Sequence, residues 1–211
     1  MLTGILIAGL AAASFSSNSC AIETFRSPLI QTQEVLEERV KTKPLLVGIE
    51  GAFVSGYVIH NLTAKIAYQL GLAQSADKSN YKKHLMYIEK VHENGNKIIL
   101  LGYSAGCDAV RKLAEDCEKR NINIDLMIFL DPTYLAWLPP KKISRNVRKV
   151  ICYKSNNDGL IEGRALERKD FESQETSFEN YKLKKTDHWN LPKNKELFEK
   201  LEQDIKEKIE E

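Results

Sequence analysis

Apolar and polar positions follow two rhythms along this chain. Short unbroken apolar runs alternate with longer stretches in which apolar residues return every three or four positions. Pro44 to Ile49 is the first apolar run and predicts a buried strand. Glu50-Gly51-Ala52-Phe53 follows as a turn. Ile59, Leu62, Ile66 and Leu70 then return at helical spacing, with Gly71 as a C-terminal stop. Tyr81, Leu85, Ile88 and Val91 make a second helical stripe, ended by Asn94-Gly95. Lys97 to Leu101 predicts the clearest strand, and Cys107 to Arg120 a helix after it. Ile124 to Leu130, Val147 to Tyr153 and Phe178 to Leu183 predict three more strands. A polar helix is expected over Gln31 to Lys43. An amphipathic one is expected over Glu196 to Glu211, with Leu197, Leu201, Ile205 and Ile209 on one side.

Strands that alternate with helices, and inner strands apolar on both faces, point to one fold class. It is α/β: a three-layer sandwich around a mostly parallel central sheet of about five to six strands. Composition agrees with that class. The chain has 211 residues, 43% hydrophobic and 28% charged, which suits one globular domain and excludes global disorder. A net charge of +2, without a basic patch, gives no case for nucleic acid. Cys20, Cys107, Cys117 and Cys152 form no C-x-x-C pair, which argues against structural zinc; their even number permits disulfides.

The amino terminus reads differently from the rest. Residues 1–22 carry no charged side chain, and Leu2 to Ala13 is almost wholly apolar. With the small-x-small exit Ser17-Asn18-Ser19, residues 1–19 read as a secretory signal peptide, although no Lys or Arg precedes the apolar run. Residues 20–211 then form the single domain, secreted or periplasmic. The alternatives are a lipid on Cys20, which would bring peripheral membrane contact, and an unprocessed apolar strand or helix. The run is too short for a comfortable transmembrane helix.

Gly102-Tyr103-Ser104-Ala105-Gly106 is a G-x-S-x-G motif between an apolar strand and a helix. A serine on such a tight turn is lifted clear of the sheet, and its neighbours must be small. A serine hydroxyl needs a base to take its proton. His60, His84 and His92 fall in predicted helices before the serine, whereas His188 lies after the last strand, where the order serine, acid, histidine puts the base. Two acids compete for the third place. Asp131 ends a strongly apolar strand and is preferred because its position is better fixed; Asp158, in a polar loop after the next strand, is the alternative. Asp187 adjoins His188 but should point elsewhere.

An oxyanion hole needs two backbone N–H donors, assigned to Ala105 and to Ala52 in the turn after the first strand. Phe53, Tyr134 and Trp137 are the candidate substrate-pocket residues, joined by Leu135, Leu138 and Trp189. The chemistry needs neither a metal nor an organic cofactor.

With these elements the chain resembles the α/β-hydrolase superfamily, in its small lidless lipase, esterase and cutinase-like members, from about Pro44 onward. The resemblance rests on Gly102-Tyr103-Ser104-Ala105-Gly106, an aspartate after a strand, and a late histidine. Many lipases place the acid as at Asp131, and cutinases as at Asp158, so the resemblance leaves the acid open. It implies a serine hydrolase of the esterase or lipase type, acting on small-molecule or lipid esters. A thioesterase, acyltransferase or peptidase on the same fold is the alternative, as is a non-catalytic secreted binding protein. Two departures stand out. Leu72 to Asn80 is too short for a full strand with its connections, so one central strand is expected to be abbreviated or missing. The superfamily's N-terminal antiparallel strands have no candidate.

Overall fold

A computed structural model describes residues 33–51, 58–76, 81–133, 141–156, 163–184 and 186–211. The expected signal segment and Cys20 lie outside them. Each apolar run forms a strand: β1 (Leu45–Ile49), β3 (Ile98–Tyr103), β4 (Leu126–Leu130) and β5 (Lys149–Lys154), with the three-residue β2 (Ala73–Ser75) and the more polar β6 (Ser177–Lys182). The spatial order is β2-β1-β3-β4-β5-β6, and every described pairing is parallel.

Alternation along the inner strands makes two cores. Leu45, Val47, Leu100, Met127, Phe129 and Val150 meet helices α1 (Gln33–Arg39), α3 (Tyr81–Glu93) and α4 (Gly106–Glu118) through Leu36, Ile88, Val91, Val110 and Leu113. Leu46, Ile99, Leu101, Ile128, Leu130 and Ile151 meet α2 (Val58–Leu70) and α5 (Lys195–Glu210) through Ile59, Leu62, Ile66, Leu197, Leu201 and Ile205. Each fully buried Leu or Ile contributes about 1.5–3 kcal/mol relative to an exposed one. The layers are therefore helix, sheet, helix, as the sequence pattern predicts. Gly71 and Gly95 end α2 and α3 at φ +66° and +68°, the left-handed geometry that follows many helices.

Three expectations are revised. The short strand is real, but β2 lies at the sheet edge, so the centre is complete. The N-terminal helix is shorter than Gln31 to Lys43 (residues 31 and 32 lie outside the described residues). Pro44 keeps Lys43 out of helical geometry, but α1 already ends at Arg39 and residues 40–42 form turns. The strand expected from Ile124 starts at Leu126, because Ile124 makes only an isolated bridge to Val147 and Asp125 turns its carboxylate to Ile98 N (2.9 Å) and Arg148 (2.8 Å).

The connections fix where a site can form. From β1 the chain moves outward to β2, then returns across to β3 and continues to β6. The order reverses between β1 and β3, and the crevice at the carboxyl ends of those strands is the usual ligand position in such sheets.

Candidate active site

β3 runs straight into Ser104, whose φ of 55° is left-handed. That region is costly for a residue with a Cβ, and it persists only where the surroundings enforce it. Two glycines enforce it here. A Cβ on Gly102 would lie 2.7 Å from Cys107 Cα, and one on Gly106 would lie 2.3 Å from Ile49 O. Without those side chains α4 packs down on β1 and β3, and the chain turns within one residue. Ser104 N donates to Leu130 O (2.9 Å), carrying the ladder one step past the end of the strand. Gly51 completes this environment: its absent Cβ would sit 2.8 Å from Ala105 N and 3.0 Å from Ser104 Cβ. Any side chain at residue 51 would press on the Ala105 amide.

The neighbouring strand ends in the same way. Asp131 follows β4 with a φ of 47° and is fully buried. Its backbone N–H donates to Tyr153 O (2.7 Å). Ser155, just past β5, donates twice to the carboxylate, from N to Oδ1 (3.0 Å) and from Oγ to Oδ2 (2.8 Å). Gly163 lies so close that a Cβ there would be 1.9 Å from Asp131 Oδ1. A buried carboxylate needs such donors, since an unpaired one would lose its hydration with no return.

His188 joins the two tips. Nδ1 lies 2.8 Å from Asp131 Oδ2, and Nε2 lies 3.1 Å from Ser104 Oγ. An ionised carboxylate only accepts, so Nδ1 carries the proton and Nε2 is left to accept from the serine. Tyr103 stacks on the imidazole (centroids 5.1 Å, 24° between planes), and its hydroxyl donates to His188 O (2.6 Å). Burial, followed by the Asp131 charge, pushes the Tyr103 hydroxyl well above its usual range and keeps it a donor. Trp189, 52% exposed, meets the His188 ring edge-on at 5.3 Å and stands at the rim. Among the described residues Ser104 Oγ has one more hydrogen-bonding contact, with Thr133 Oγ1 at 3.0 Å.

The structure brings together Ser104, His188 and Asp131, with Ala105 next to the serine. Asp187 points away, as expected, and accepts from Asn190 N (2.8 Å) and Nδ2 (2.9 Å). Ala52, Phe53, Tyr134, Trp137 and Asp158 lie outside the described residues. Cys107, Cys117 and Cys152 are free, buried thiols. Among the described residues no group of three or more His, Cys, Asp or Glu could hold a metal ion. Sequence reasoning missed Thr133, Ser155, Gly163 and the part played by Tyr103. Only Tyr103 carried any signal, as the variable position of the motif before the serine.

No protein-family model matches the sequence, and no curated protein matches it. Solved structures do match the fold. Human thioesterase 2 superposes with a TM-score of 0.59 at 10% identity, over 80% of this chain and 96% of that one. The NocB thioesterase domain from the nocardicin cluster gives 0.54 at 13% identity, over 83% and 97%. A hyperthermophilic esterase from the archaeon Pyrobaculum calidifontis gives 0.56 at 10% identity, over 80% and 77%. The fold is that of the α/β hydrolases, in a minimal form with six parallel strands.

Proposed function

We propose that this protein is a serine hydrolase that cleaves carboxylic esters through an acyl-enzyme on Ser104. The reading rests on one observation: a buried chain of hydrogen bonds runs from Asp131 through His188 to a serine held in left-handed geometry. Ser104 Oγ attacks the ester carbonyl, and its proton passes to His188 Nε2. The carbonyl electrons move to oxygen, which the Ala105 N–H and a second donor, assigned to Ala52, would hold. Asp131 stabilises the imidazolium formed. The imidazolium then protonates the leaving alkoxide, and water releases the acid by the same steps in reverse. Trp189 and the assigned pocket residues Phe53, Tyr134 and Trp137 favour an apolar acyl part.

Thioester cleavage is the second reading. The two thioesterases are matched over 96% and 97% of their length, whereas the Pyrobaculum esterase is matched over 77%. Length does not choose between the bonds, since a YdeN-like hydrolase from Pectobacterium atrosepticum is matched over 98% of its length, and the machinery serves either.

Labelling with a fluorophosphonate probe, with mass mapping of the adduct, tests the reading. An adduct on Ser104 that is absent in His188→Ala is expected. Folded protein that takes no label would favour a binding protein that keeps the fold without catalysis. Matched series of p-nitrophenyl esters and acyl thioesters then separate the two bonds by kcat/KM.

A further inference from the structure

We infer that Thr133 is a third catalytic side chain, donating a hydrogen bond to the nucleophilic oxygen of Ser104. The inference rests on the serine-hydrolase reading above and names a group that reading does not use.

Proton counting sets the direction of the bond. With the imidazole neutral, as a general base must be, the Nδ1 proton accepted by Asp131 Oδ2 leaves Nε2 without one, to accept. Ser104 has one hydroxyl proton, and the 3.1 Å contact commits it to Nε2. The remaining 3.0 Å contact, between Ser104 Oγ and Thr133 Oγ1, can then be filled only by the Thr133 proton. Ser104 Oγ donates to His188 and accepts from Thr133, which holds its rotamer and aims its O–H at the base.

The placement of Thr133 follows from the acid. Asp131-Pro132-Thr133 leaves the tip of β4 as one short segment, with Pro132 O accepting from Arg164 N (3.1 Å). Proline fixes φ between the two functional residues. One tripeptide thus orients the histidine at its first residue and the serine at its third.

The bond also changes strength along the reaction. As the Ser104 proton moves to Nε2, negative charge grows on Oγ, and hydrogen bonds to charged acceptors are roughly twice as strong as neutral ones. A donor that gains strength between ground and transition state accelerates the step. Once the Oγ–C bond has formed, the ester oxygen accepts weakly. In deacylation the Oγ–C bond breaks, the electron pair returns to Oγ as it takes a proton back from the His188 imidazolium, and Thr133 donates to the charge that develops on the way.

The test is the second-order rate of fluorophosphonate labelling at Ser104, measured across pH in wild type, Thr133→Val, Thr133→Ala and Thr133→Ser. The expected loss in Val and Ala is about 10-fold, below the ~10²–10³ of a dedicated oxyanion donor because the bond already exists in the ground state. Thr133→Ser should return to the wild-type rate, and all variants should keep the wild-type melting temperature because Thr133 is only half-buried. Wild-type rates in Val and Ala would overturn the inference and leave the hydrolase reading standing. A loss in Val and Ala that Ser fails to restore would overturn it too, since the methyl group would then be what matters. Wild-type protein unlabelled at Ser104 would overturn the hydrolase reading itself.

Discussion

The tips of β3 and β4 solve one problem in two ways. Each strand ends in a residue with a side chain held at positive φ, Ser104 at 55° and Asp131 at 47°. Around Ser104 the constraint is steric. Gly102 and Gly106 let α4 and β1 close on the turn, and the obstacles to any added Cβ are backbone atoms. Around Asp131 it is polar. Three donors converge on the carboxylate, and the nearest obstacle to a Cβ on Gly163 is the carboxylate (1.9 Å), with Asp131 Cα behind it at 2.8 Å. Backbone cannot yield without unfolding the turn, whereas a side chain can swing away. The Ser104 tip should therefore fail chiefly by losing the fold, and the Asp131 tip chiefly by losing activity.

The hardest blow to the acid tip is Asp131→Asn. It keeps the shape but presents an amide to Nδ1, and should lower kcat on a p-nitrophenyl ester by about 10⁴-fold with little change in melting temperature. Asp158→Asn should leave kcat unchanged; the reverse pattern would move the acid to the next loop.

The paired glycine variants test the contrast itself. Gly106→Ala should lose several °C of melting temperature or fail to fold, since its Cβ meets β1 backbone. Gly163→Ala should lose less melting temperature than Gly106→Ala and about 10²-fold in kcat by displacing the carboxylate. Circular dichroism melts beside initial rates decide it, and equal melting losses in both would end the distinction.

A smaller effect is expected at Ser155. Ser155→Ala removes one of the three donors and leaves the backbone N–H bond, so a loss of about 10-fold in kcat is expected, equivalent to roughly 1–1.5 kcal/mol. Ser155→Thr should recover part of it.

The smallest effect concerns the thiols near these tips. Burial pushes Cys107 well above its ordinary range and Cys152 up to about 12. Raised values mean less thiolate at pH 8 than in a free cysteine, and the thiolate is the reactive form. Iodoacetamide should leave both unmodified in native protein and alkylate both in urea, as read by peptide mapping.

Much of the fold was legible because its signals are local. Apolar runs of five or six residues and helical stripes mark the strands and helices, and both cores use those positions. The serine was legible for the same reason: its steric frame occupies five consecutive residues, Gly102 to Gly106. His188 followed from chain order. The acid was less certain, because Asp131 and Asp158 both follow strands, and the apolar run before Asp131 favours it without deciding. What separates them is distant in sequence: Ser155 and Gly163 lie 24 and 32 residues beyond Asp131, and His188 lies 57 beyond.

By itself, then, the sequence determined the layered α/β architecture, the strained serine and the candidate base, since each depends on spacing within a few residues. Only the tertiary structure decided which aspartate meets His188, that Ser155 and Gly163 shape its pocket, and that Thr133 reaches Ser104. Those contacts exist because parallel pairing brings the carboxyl ends of β3, β4 and β5 side by side. Residues far apart along the chain become neighbours at one edge of the sheet, and no local pattern records that.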